Sequence, residues 1–390
     1  MRIQVAIVSD QVLPNLIPTL MKRPELVLLV VSESMAEKGK HLCNMLTAEG
    51  ITTELSENAP DVGLNTIYAY AWKLAESLQT RFPDAEISLN ATGGTKLMSL
   101  GMVEAFRAVA QEVIYTDTGH RRIETFPPES PNSGAQPPIS TPMTDVLDVK
   151  KYVTAQGFRY AGAKSDHADW QEIVHRRKGI CKYLGSHARD LDSFFGTMNW
   201  LASNALDKRG EHLIAPDQTL PKAPAGVGLE ALRQLNRMNI IAVESDNRSI
   251  HFPDVQRTKF IMGGWLEEYV WHVLHDNGAF DVRLGVEGHW LQGHGSLNEF
   301  DVLATKLNQL LYVECKTKHH YSGEDSALAY KTDSLGQDVR GLFGNSWLVT
   351  AREPTENLRD RARQAKVELI GPECLPHLKK RVLKWLDGEG

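Results

Sequence analysis

Three charged residues close to the end of an apolar segment could carry hydrolytic chemistry. Asp301, Glu314 and Lys316 lie in segment 298–318, NEFDVLATKLNQLLYVECKTK, whose two apolar runs predict a hairpin. Glu314 and Lys316 point to the same face because they are two residues apart on a strand, and Asp301 can reach that face from the neighbouring strand. Buried carboxylates are costly unless they are paired or bind a cation. The pattern therefore favours a site for Mg²⁺ or Mn²⁺ over a surface ion pair.

A helix upstream supplies further carboxylates. Apolar residues at helical spacing predict a helix over residues 263–274. Glu267 and Glu268 lie early in it, and either could complete the carboxylate cluster; we favour Glu267. The apolar face of the predicted helix consists of Leu266, Tyr269, Val270, Val273 and Leu274.

The order helix-Glu, then Asp, then Glu-x-Lys resembles the PD-(D/E)XK nuclease superfamily over about residues 256–390. The resemblance implies a restriction-endonuclease-like α/β domain with Glu267, Asp301, Glu314 and Lys316 as its catalytic residues. It implies that the three acids hold the metal and that the lysine positions and polarises the attacking water.

Residues after the motif are weaker candidates for contact with the substrate. A helix is predicted over residues 326–340, where Gln337 and Arg340 could contact phosphate, although solvated positions are the default. His319 and His320 could approach the substrate, but an exposed loop is favoured. Two further strands and a helix are predicted over residues 347–351, 367–370 and 357–366.

The first 126 residues alternate short apolar runs with helical patterns. Strands are predicted over residues 3–8, 26–31, 51–55, 87–89 and 113–115, and helices over 12–22, 35–49, 64–81 and 96–111. This alternation predicts an open, mostly parallel sheet with helices on both faces, which is a Rossmann-like α/β fold.

Ligands bind such sheets beyond the carboxyl ends of the strands, and the turn at 90–96, NATGGTK, lies there. Its glycines allow a ligand to approach the backbone, Thr95 can cap the next helix, and Lys96 adds a positive charge that favours phosphate. The turn lacks the spacing of a P-loop or a dinucleotide fold. Together with the neighbouring strand ends, the candidate ligand-binding residues are Ser9, Asp10, Gln11, Asn90, Thr92, Gly93, Gly94, Thr95, Lys96, Thr116 and Asp117.

Ser9 after the first strand and LNATGGTKLMSLGM after the fourth resemble a CARF domain, the sensor of type III CRISPR ancillary proteins. Such domains bind cyclic oligoadenylates across a two-fold dimer interface. A CARF-like sensor followed by a PD-(D/E)XK domain resembles the single-CARF, homodimeric ancillary nucleases of those systems. That resemblance implies cyclic tetraadenylate as the activator and DNA, with RNA also open, as the substrate.

The segment between these two regions is less informative. Residues 126–142 are rich in proline and predict a linker, so we expect a CARF-like sensor with its linker over 1–142, a winged-helix-like domain over 143–255 and a nuclease over 256–390. A helix over 227–238 followed by strands at 240–244 and 249–252 suggests the winged helix. We favour a role as a spacer and dimer contact, with direct DNA binding left open, and we expect the basic run at 175–178 to be a solvated helix face.

Composition limits the class of protein. The 390-residue chain is 42% hydrophobic, has a formal net charge of −6 and a pI near 6.2, which argues against a broad, nonspecific nucleic-acid binder. It has no apolar run of membrane-spanning length, and its first residues lack a signal-peptide pattern. Four scattered cysteines lack metal or disulfide spacing. We therefore expect a cytoplasmic protein without membrane contact.

The hypothesis from the sequence is a ligand-gated, metal-dependent endonuclease. One alternative is a non-catalytic CARF-type regulator whose winged helix binds DNA and whose C-terminal fold has lost activity; the intact Asp…Glu-x-Lys set disfavours it. Another is an ungated restriction-type nuclease, which the sensor-like N-terminal third and the acidic charge disfavour.

Overall fold

The computed structural model describes residues 1–127, 136–291, 296–318, 336, 339, 341 and 344–388. The chain divides into two compact units, Met1–Gln156 and Gly157–Gly390. The three-domain division expected from the sequence stays a prediction. The structure places residues 143–156 in the first unit and joins the strand Phe158–Ala163 to the main sheet of the second unit.

The first unit contains a sheet whose described strands follow the order β3-β2-β1-β4-β5-β6-β7. The strands β1 to β5 are parallel, and β6 and β7 are antiparallel to their neighbours. The seven strands are Arg2–Ile7, Leu26–Val30, Thr52–Ser56, Glu86–Asn90, Glu112–Asp117, Arg122–Phe126 and Ile139–Pro142.

Helices α1 to α5 of this unit are Leu13–Lys22, Ala36–Ala48, Leu64–Arg81, Lys96–Phe106 and Val149–Ala155. The interior strand β2 is buried along its whole length, as expected for an apolar strand with helices on both faces. The strand order reverses direction between β1 and β4, so the crevice outside their carboxyl ends is the expected ligand site of such a sheet.

The linker predicted over residues 126–142 includes the last residue of β6 and the whole of β7. β6 pairs with both β5 and β7, and β7 is an exposed edge strand of the described sheet that ends at Pro142. Proline is tolerated on edge strands because its missing N–H removes no bond from the interior of the sheet. The proline-rich composition therefore concealed one antiparallel edge strand, β7.

The second unit contains a sheet whose described strands follow the order β16-β15-β14-β13-β12-β8. Strands β8, β12, β13 and β14 pair antiparallel, and β14, β15 and β16 pair parallel. These strands are Phe158–Ala163, Asp281–Trp290, Asn298–Lys306, Gln309–Lys316, Asn345–Thr350 and Glu368–Ile370. The predicted hairpin is β13–β14; Leu307 and Asn308 in its turn have φ of 47° and 61°, as a tight two-residue hairpin turn requires.

The described part of the second unit also contains helices α6 to α12 and a separate small sheet of the short strands β9 (Asp217–Thr219), β10 (Ala242–Val243) and β11 (Ser249–His251). Helix α8 leads into the β10–β11 pair, which is the expected helix-plus-wing arrangement. Within the described residues these helices are, in chain order, Ala168–Ser186, Asp192–Ala205, Gly226–Arg237, Val255–Lys259, Trp265–Asp276, Glu356–Gln364 and Leu378–Asp387.

Several elements of the second unit were not anticipated, notably β8, β12, α7 and α12. Conversely, most of the helix predicted over 326–340 lies outside the described residues, as do His319, His320, Gln337 and Arg340. Among the described residues, no helix is long and apolar enough to cross a membrane.

Candidate active site and ligand-binding turn

The β13–β14 hairpin brings Asp301, Glu314 and Lys316 together. Lys316 Nζ lies 2.6 Å from Glu314 Oε1 and 3.8 Å from Asp301 Oδ2. The pairing of Val302 with Val313 sets this register, since the two carboxylates follow immediately beyond that pair. The predicted shared face of Glu314 and Lys316 thus holds an ammonium between two carboxylates.

Hydrogen bonds fix both carboxylates. The backbone N–H of Cys315 donates to Asp301 Oδ2 at 2.7 Å. The hydroxyl of Tyr312, on the same strand face as Glu314, donates to Glu314 Oε2. The orientation of each acid is therefore set by the strands themselves.

Burial makes this cluster electrostatically unfavourable without a further cation. Glu314 is only 2% exposed. Burial, followed by the charges of Glu314 and Glu267, raises the pKa of Asp301 to about 8. Burial alone would lower the pKa of Lys316, but the carboxylates of Glu314 and Asp301 raise it above its usual range. One lysine does not offset the carboxylate repulsion.

A π-helical turn, Phe260–Gly264, directly precedes α10 and places the start of that helix near the end of β14. Thr317 Oγ1 donates to the carbonyl of Met262 at 2.5 Å, and Asn199 Nδ2 donates to the carbonyl of Thr317 at 2.9 Å. Because Thr317 directly follows Lys316, these bonds fix the first turn of α10 next to the motif.

The two glutamates of α10 have different surroundings. Glu268 is buried and pairs with Arg177 at 3.1 Å; burial raises its pKa to about 7, although Arg177 opposes that change. Glu267 is partly exposed, yet closely surrounded by protein atoms. Burial raises its pKa, Lys164 and Lys316 oppose this, and Glu299 adds to it. These surroundings support Glu267 as the site residue, which stays a prediction.

The sequence did not indicate that Lys164 and Glu299 lie near the site. Lys164 Nζ contacts Glu299 Oε1 at 2.8 Å, and Lys164 interacts electrostatically with Glu267 and Asp301. Neither belongs to the Asp…Glu-x-Lys pattern, and Lys164 is far away in sequence. Only the pairing of β8 with β12 could have revealed its position.

The donor chemistry of Asp301 and Glu314 fits a hard divalent cation. Both offer carboxylate oxygens, and the raised pKa of Asp301 reports repulsion that a cation would relieve. Among the described residues, no group of three or more His, Cys, Asp or Glu side chains is close enough to form a complete metal site. Mg²⁺ is usually held by one or two carboxylates together with waters and substrate phosphates, and Asp301 and Glu314 can supply those carboxylates.

The 92–96 turn of the first unit lies at the carboxyl end of β4, beside β1. A Cβ at Gly93 would lie 1.9 Å from the carbonyl oxygen of Ile7, so only glycine allows this close approach. Gly94 has φ of +76°, and a Cβ there would lie 2.5 Å from Cγ2 of Ile7. The two glycines are therefore required for the turn to pack on β1.

Three of the predicted ligand-binding residues hold the turn in place through hydrogen bonds within the domain. Asn90 Nδ2 donates to Pro14 O at 2.9 Å, while its Oδ1 accepts from Thr92 Oγ1 at 2.6 Å. The backbone N–H of Thr116 donates to Thr92 Oγ1 at 2.7 Å. These polar groups are engaged within the domain, so they position the turn.

The other predicted residues lie at the surface around the turn. Thr95 caps α4 by accepting from the N–H of Met98 at 3.2 Å, and Lys96 is exposed, with no ion-pair partner within the described ranges. The remaining ones also have local partners: Ser9 bonds to Gln11, Asp10 pairs with Lys38, and Asp117 bonds to His120.

A cavity of about 930 Å³ adjoins the turn, between α4 and the outer strands of the sheet. Its lining includes Lys96 together with Leu100, Tyr115 and Phe126, which are 63%, 48% and 47% exposed. A large apolar surface therefore lies beside the exposed lysine.

Residues 3–152 match the family of Card1 CARF domains, and residues 254–388 match the Card1-like endonuclease domains. The comparison with curated proteins gave no match.

Three solved structures share the fold. Protein VC1899 from Vibrio cholerae has a TM-score of 0.84 and 23% identity, covering 100% of this chain and 99% of that chain. Can2 from Sulfobacillus thermosulfidooxidans, in complex with cyclic tetra-adenylate, has a TM-score of 0.73 and 24% identity, covering 99% and 97%. A type III CRISPR defence DNA nuclease activated by cyclic oligoadenylate has a TM-score of 0.53 and 16% identity, covering 89% and 45%.

The matches confirm the predicted fold class, with an N-terminal CARF domain and a C-terminal endonuclease domain, and the resemblance to single-CARF ancillary nucleases of type III CRISPR systems. The chain therefore contains a Card1-type CARF domain over residues 3–152 and a Card1-like endonuclease domain over residues 254–388.

Proposed function

We propose that this protein is a metal-dependent endonuclease that a cyclic oligoadenylate, most favourably cyclic tetraadenylate, switches on. The observation that carries the proposal is the placement of Asp301 and Glu314 around the Lys316 ammonium within the endonuclease domain. That Can2 was solved with cyclic tetra-adenylate supports the choice of activator.

In this proposal Asp301 and Glu314, assisted by Glu267, hold Mg²⁺ or Mn²⁺. The bound ion supplies a more acidic water and stabilises charge on the scissile phosphate. Tyr312 and the Cys315 N–H keep the two acids oriented. Once the metal ion neutralises Asp301 and Glu314, Lys316 is free to turn towards the attacking water or the phosphate.

The ring nucleotide contacts the 92–96 turn, and the exposed Lys96 and the N-terminus of α4 meet its phosphates. Ser9, Asp10 and Gln11 border the same crevice. One sensor domain has a single copy of this turn, whereas a cyclic tetranucleotide can have two-fold symmetry. We therefore propose a homodimer that binds one ring on its axis.

The exposed apolar face of α4 supports a dimer contact close to that axis. Leu97 directly follows Lys96 and is 42% exposed, and Leu100, three residues further on, is 63% exposed. Two turns can meet one ring only if the surfaces beside them are close, which is where these residues lie.

DNA is the proposed substrate, with RNA as a further one, because a nuclease of similar fold is described as a DNA nuclease. We place the protein in the cytoplasm. Its four free cysteines, two of them buried, suit a reducing compartment.

A plasmid-nicking assay tests the proposal. Supercoiled DNA with Mn²⁺ should be cut when cyclic tetraadenylate is present and remain intact without it. Absence of cutting with every ring size, in both DNA and RNA, would favour the non-catalytic regulator. Equal cutting without any ring would favour the ungated nuclease.

A further inference from the structure

Lys164 follows β8 and reaches over the neighbouring strand β12 towards the candidate active site. A Cβ at Gly285 of β12 would lie 2.6 Å from Cδ of Lys164 and 2.8 Å from its Cγ. Gly285 also has φ of +60°, a left-handed conformation that other residues rarely adopt. The methylene stem of Lys164 therefore passes through a space that exists only because residue 285 is glycine.

The ammonium of Lys164 lies close to acidic residues of the candidate active site. It contacts Glu299 Oε1 at 2.8 Å, and Glu299 is two residues before Asp301 on β13. Burial would lower the pKa of Lys164, but the charges of Glu267, Glu299 and Asp301 together raise it. The side chains of Lys164 and Glu299 are 48% and 49% exposed, so a large ligand can reach both.

We propose that Lys164 is a second cationic residue of the active site, which binds a phosphate of the nucleic acid and exchanges Glu299 for that phosphate when substrate enters. The proposal rests on the proposed nuclease function. It adds to that function a residue outside the Asp…Glu-x-Lys pattern and outside the matched endonuclease range 254–388.

A surface ion pair alone does not account for this arrangement. Exposed pairs contribute little to stability, since solvent and side-chain entropy offset most of the attraction. Here the pair depends on a glycine with left-handed φ inside a strand and on a stem threaded past it. A cation held near three carboxylates, yet accessible to solvent, is suited to meeting an incoming anion.

A purely structural role of Lys164 and a phosphate-binding role predict different effects on nucleic-acid binding when Lys164 or Glu299 is replaced. If Lys164 only stabilises the fold through Glu299, then Lys164→Met and Glu299→Gln should have the same effect. If Lys164 binds phosphate, Lys164→Met should weaken nucleic-acid binding, whereas Glu299→Gln should leave it unchanged or strengthen it, because the lysine loses its competitor.

The experiment uses the full chain with Mn²⁺ and cyclic tetraadenylate and a labelled DNA duplex. Lys178→Met is the matched control, because Lys178 pairs with Asp276 at 2.7 Å and is 47% exposed, on α6. Binding is measured in the Glu314→Ala background over a salt series, and cutting is measured with Glu314 intact. Thermal unfolding of every variant reports on the fold.

We expect Lys164→Met to weaken binding about tenfold and to reduce the slope of log affinity against log salt by about one, as loss of one phosphate contact does. Its KM should rise more than its kcat falls, and Lys164→Arg should restore most of the binding. Lys178→Met should bind and cut like the parent.

Equal binding and equal salt slopes for Lys164→Met and its parent would overturn the proposal, as would identical losses in Lys164→Met and Glu299→Gln. If the intact parent binds DNA but never cuts DNA or RNA, the nuclease function fails, while the salt series still decides the role of Lys164. A parent that binds no nucleic acid overturns both.

Discussion

At the scale of single residues, the main feature of the candidate active site is repulsion between buried carboxylates. Asp301 and Glu314 are held by a backbone N–H and a tyrosine hydroxyl, and their repulsion is only partly offset by Lys316. Buried carboxylates of this kind are retained where they bind a cation, because otherwise apolar residues would be more stable there. The same arrangement makes each of the three residues separately testable.

Replacing each residue should abolish cutting by a different route. Asp301→Ala and Glu314→Ala should lower the rate by at least about a hundredfold and weaken Mn²⁺ binding, because each removes a ligand. Lys316→Ala should lower the rate similarly while Mn²⁺ binding is retained. Plasmid cutting and calorimetric Mn²⁺ titration measure these effects, and ring binding should stay at the parental level. Wild-type cutting by Lys316→Ala would contradict the superfamily assignment.

The raised pKa of Asp301 predicts a pH effect on the metal-free protein. The folded group has a pKa of about 8, while an unfolded aspartate titrates near 4, so the folded state binds more protons between these values. The free energy of unfolding in EDTA should therefore fall as pH rises from about 4 to about 8. Conversely, Mn²⁺ should bind more tightly over the same range.

Asp301→Asn is the control, because asparagine cannot titrate. Its unfolding free energy, from denaturant titrations in EDTA, should depend less on pH than that of the parent. Identical pH slopes for the two proteins would mean that Asp301 does not titrate in this range.

At the scale of elements, local patterns predicted local structure well. The β13–β14 hairpin, α3 and α10 were predicted because apolar spacing and turn chemistry act within a few residues. The strand β8 was missed because its partner β12 lies over a hundred residues away, and Lys164 was missed with it. The sequence also could not separate Glu267 from Glu268, since only the packing of α6 against α10 gives Glu268 its Arg177 partner.

The N-terminus of α4 carries a prediction about the sensor. Lys96→Glu places a negative charge where a phosphate is expected, at a helix start, so ring binding should weaken at least about tenfold. Lys40→Glu is the control, since Lys40 is an exposed lysine of α2. Calorimetry with cyclic tetraadenylate measures both, and Mn²⁺ binding should remain unchanged. Unaltered ring affinity in Lys96→Glu would remove the 92–96 turn from the site.

At the scale of the whole molecule, the proposal requires two chains and two coupled sites. A ring can shift activity only by binding the active arrangement more tightly than the resting one. By reciprocity, nucleic acid held at the nuclease site should tighten ring binding by the same factor. The sequence predicted the pivot near residues 127–142, but this segment belongs to the first unit, where residues 139–142 form β7 and pair with β6, so it does not lie between the two units.

Stoichiometry and coupling can be measured together in Glu314→Ala with Mn²⁺. We expect one ring per two chains and tighter ring binding in the presence of saturating DNA. Leu100→Glu should weaken both dimer formation and ring binding, because it places a charge on the proposed contact. Ile214→Glu, at a residue 65% exposed in the second unit, is the matched control. One ring per chain would exclude the shared two-fold site, and equal affinity with and without DNA would exclude coupling at the binding stage.

The strand β8 has a consequence for dividing the chain by protein engineering. It pairs with residues 286–290 of β12, and Phe158 packs edge-on against Trp290 and Phe300 at 5.2 and 5.3 Å. A fragment of residues 254–390 would leave β12 as an open edge beside uncovered aromatic rings, which invites aggregation. It should therefore precipitate or elute as large oligomers in gel filtration, whereas a fragment of residues 157–390 should remain dispersed. A nuclease domain excised for use in other fusion proteins must include β8.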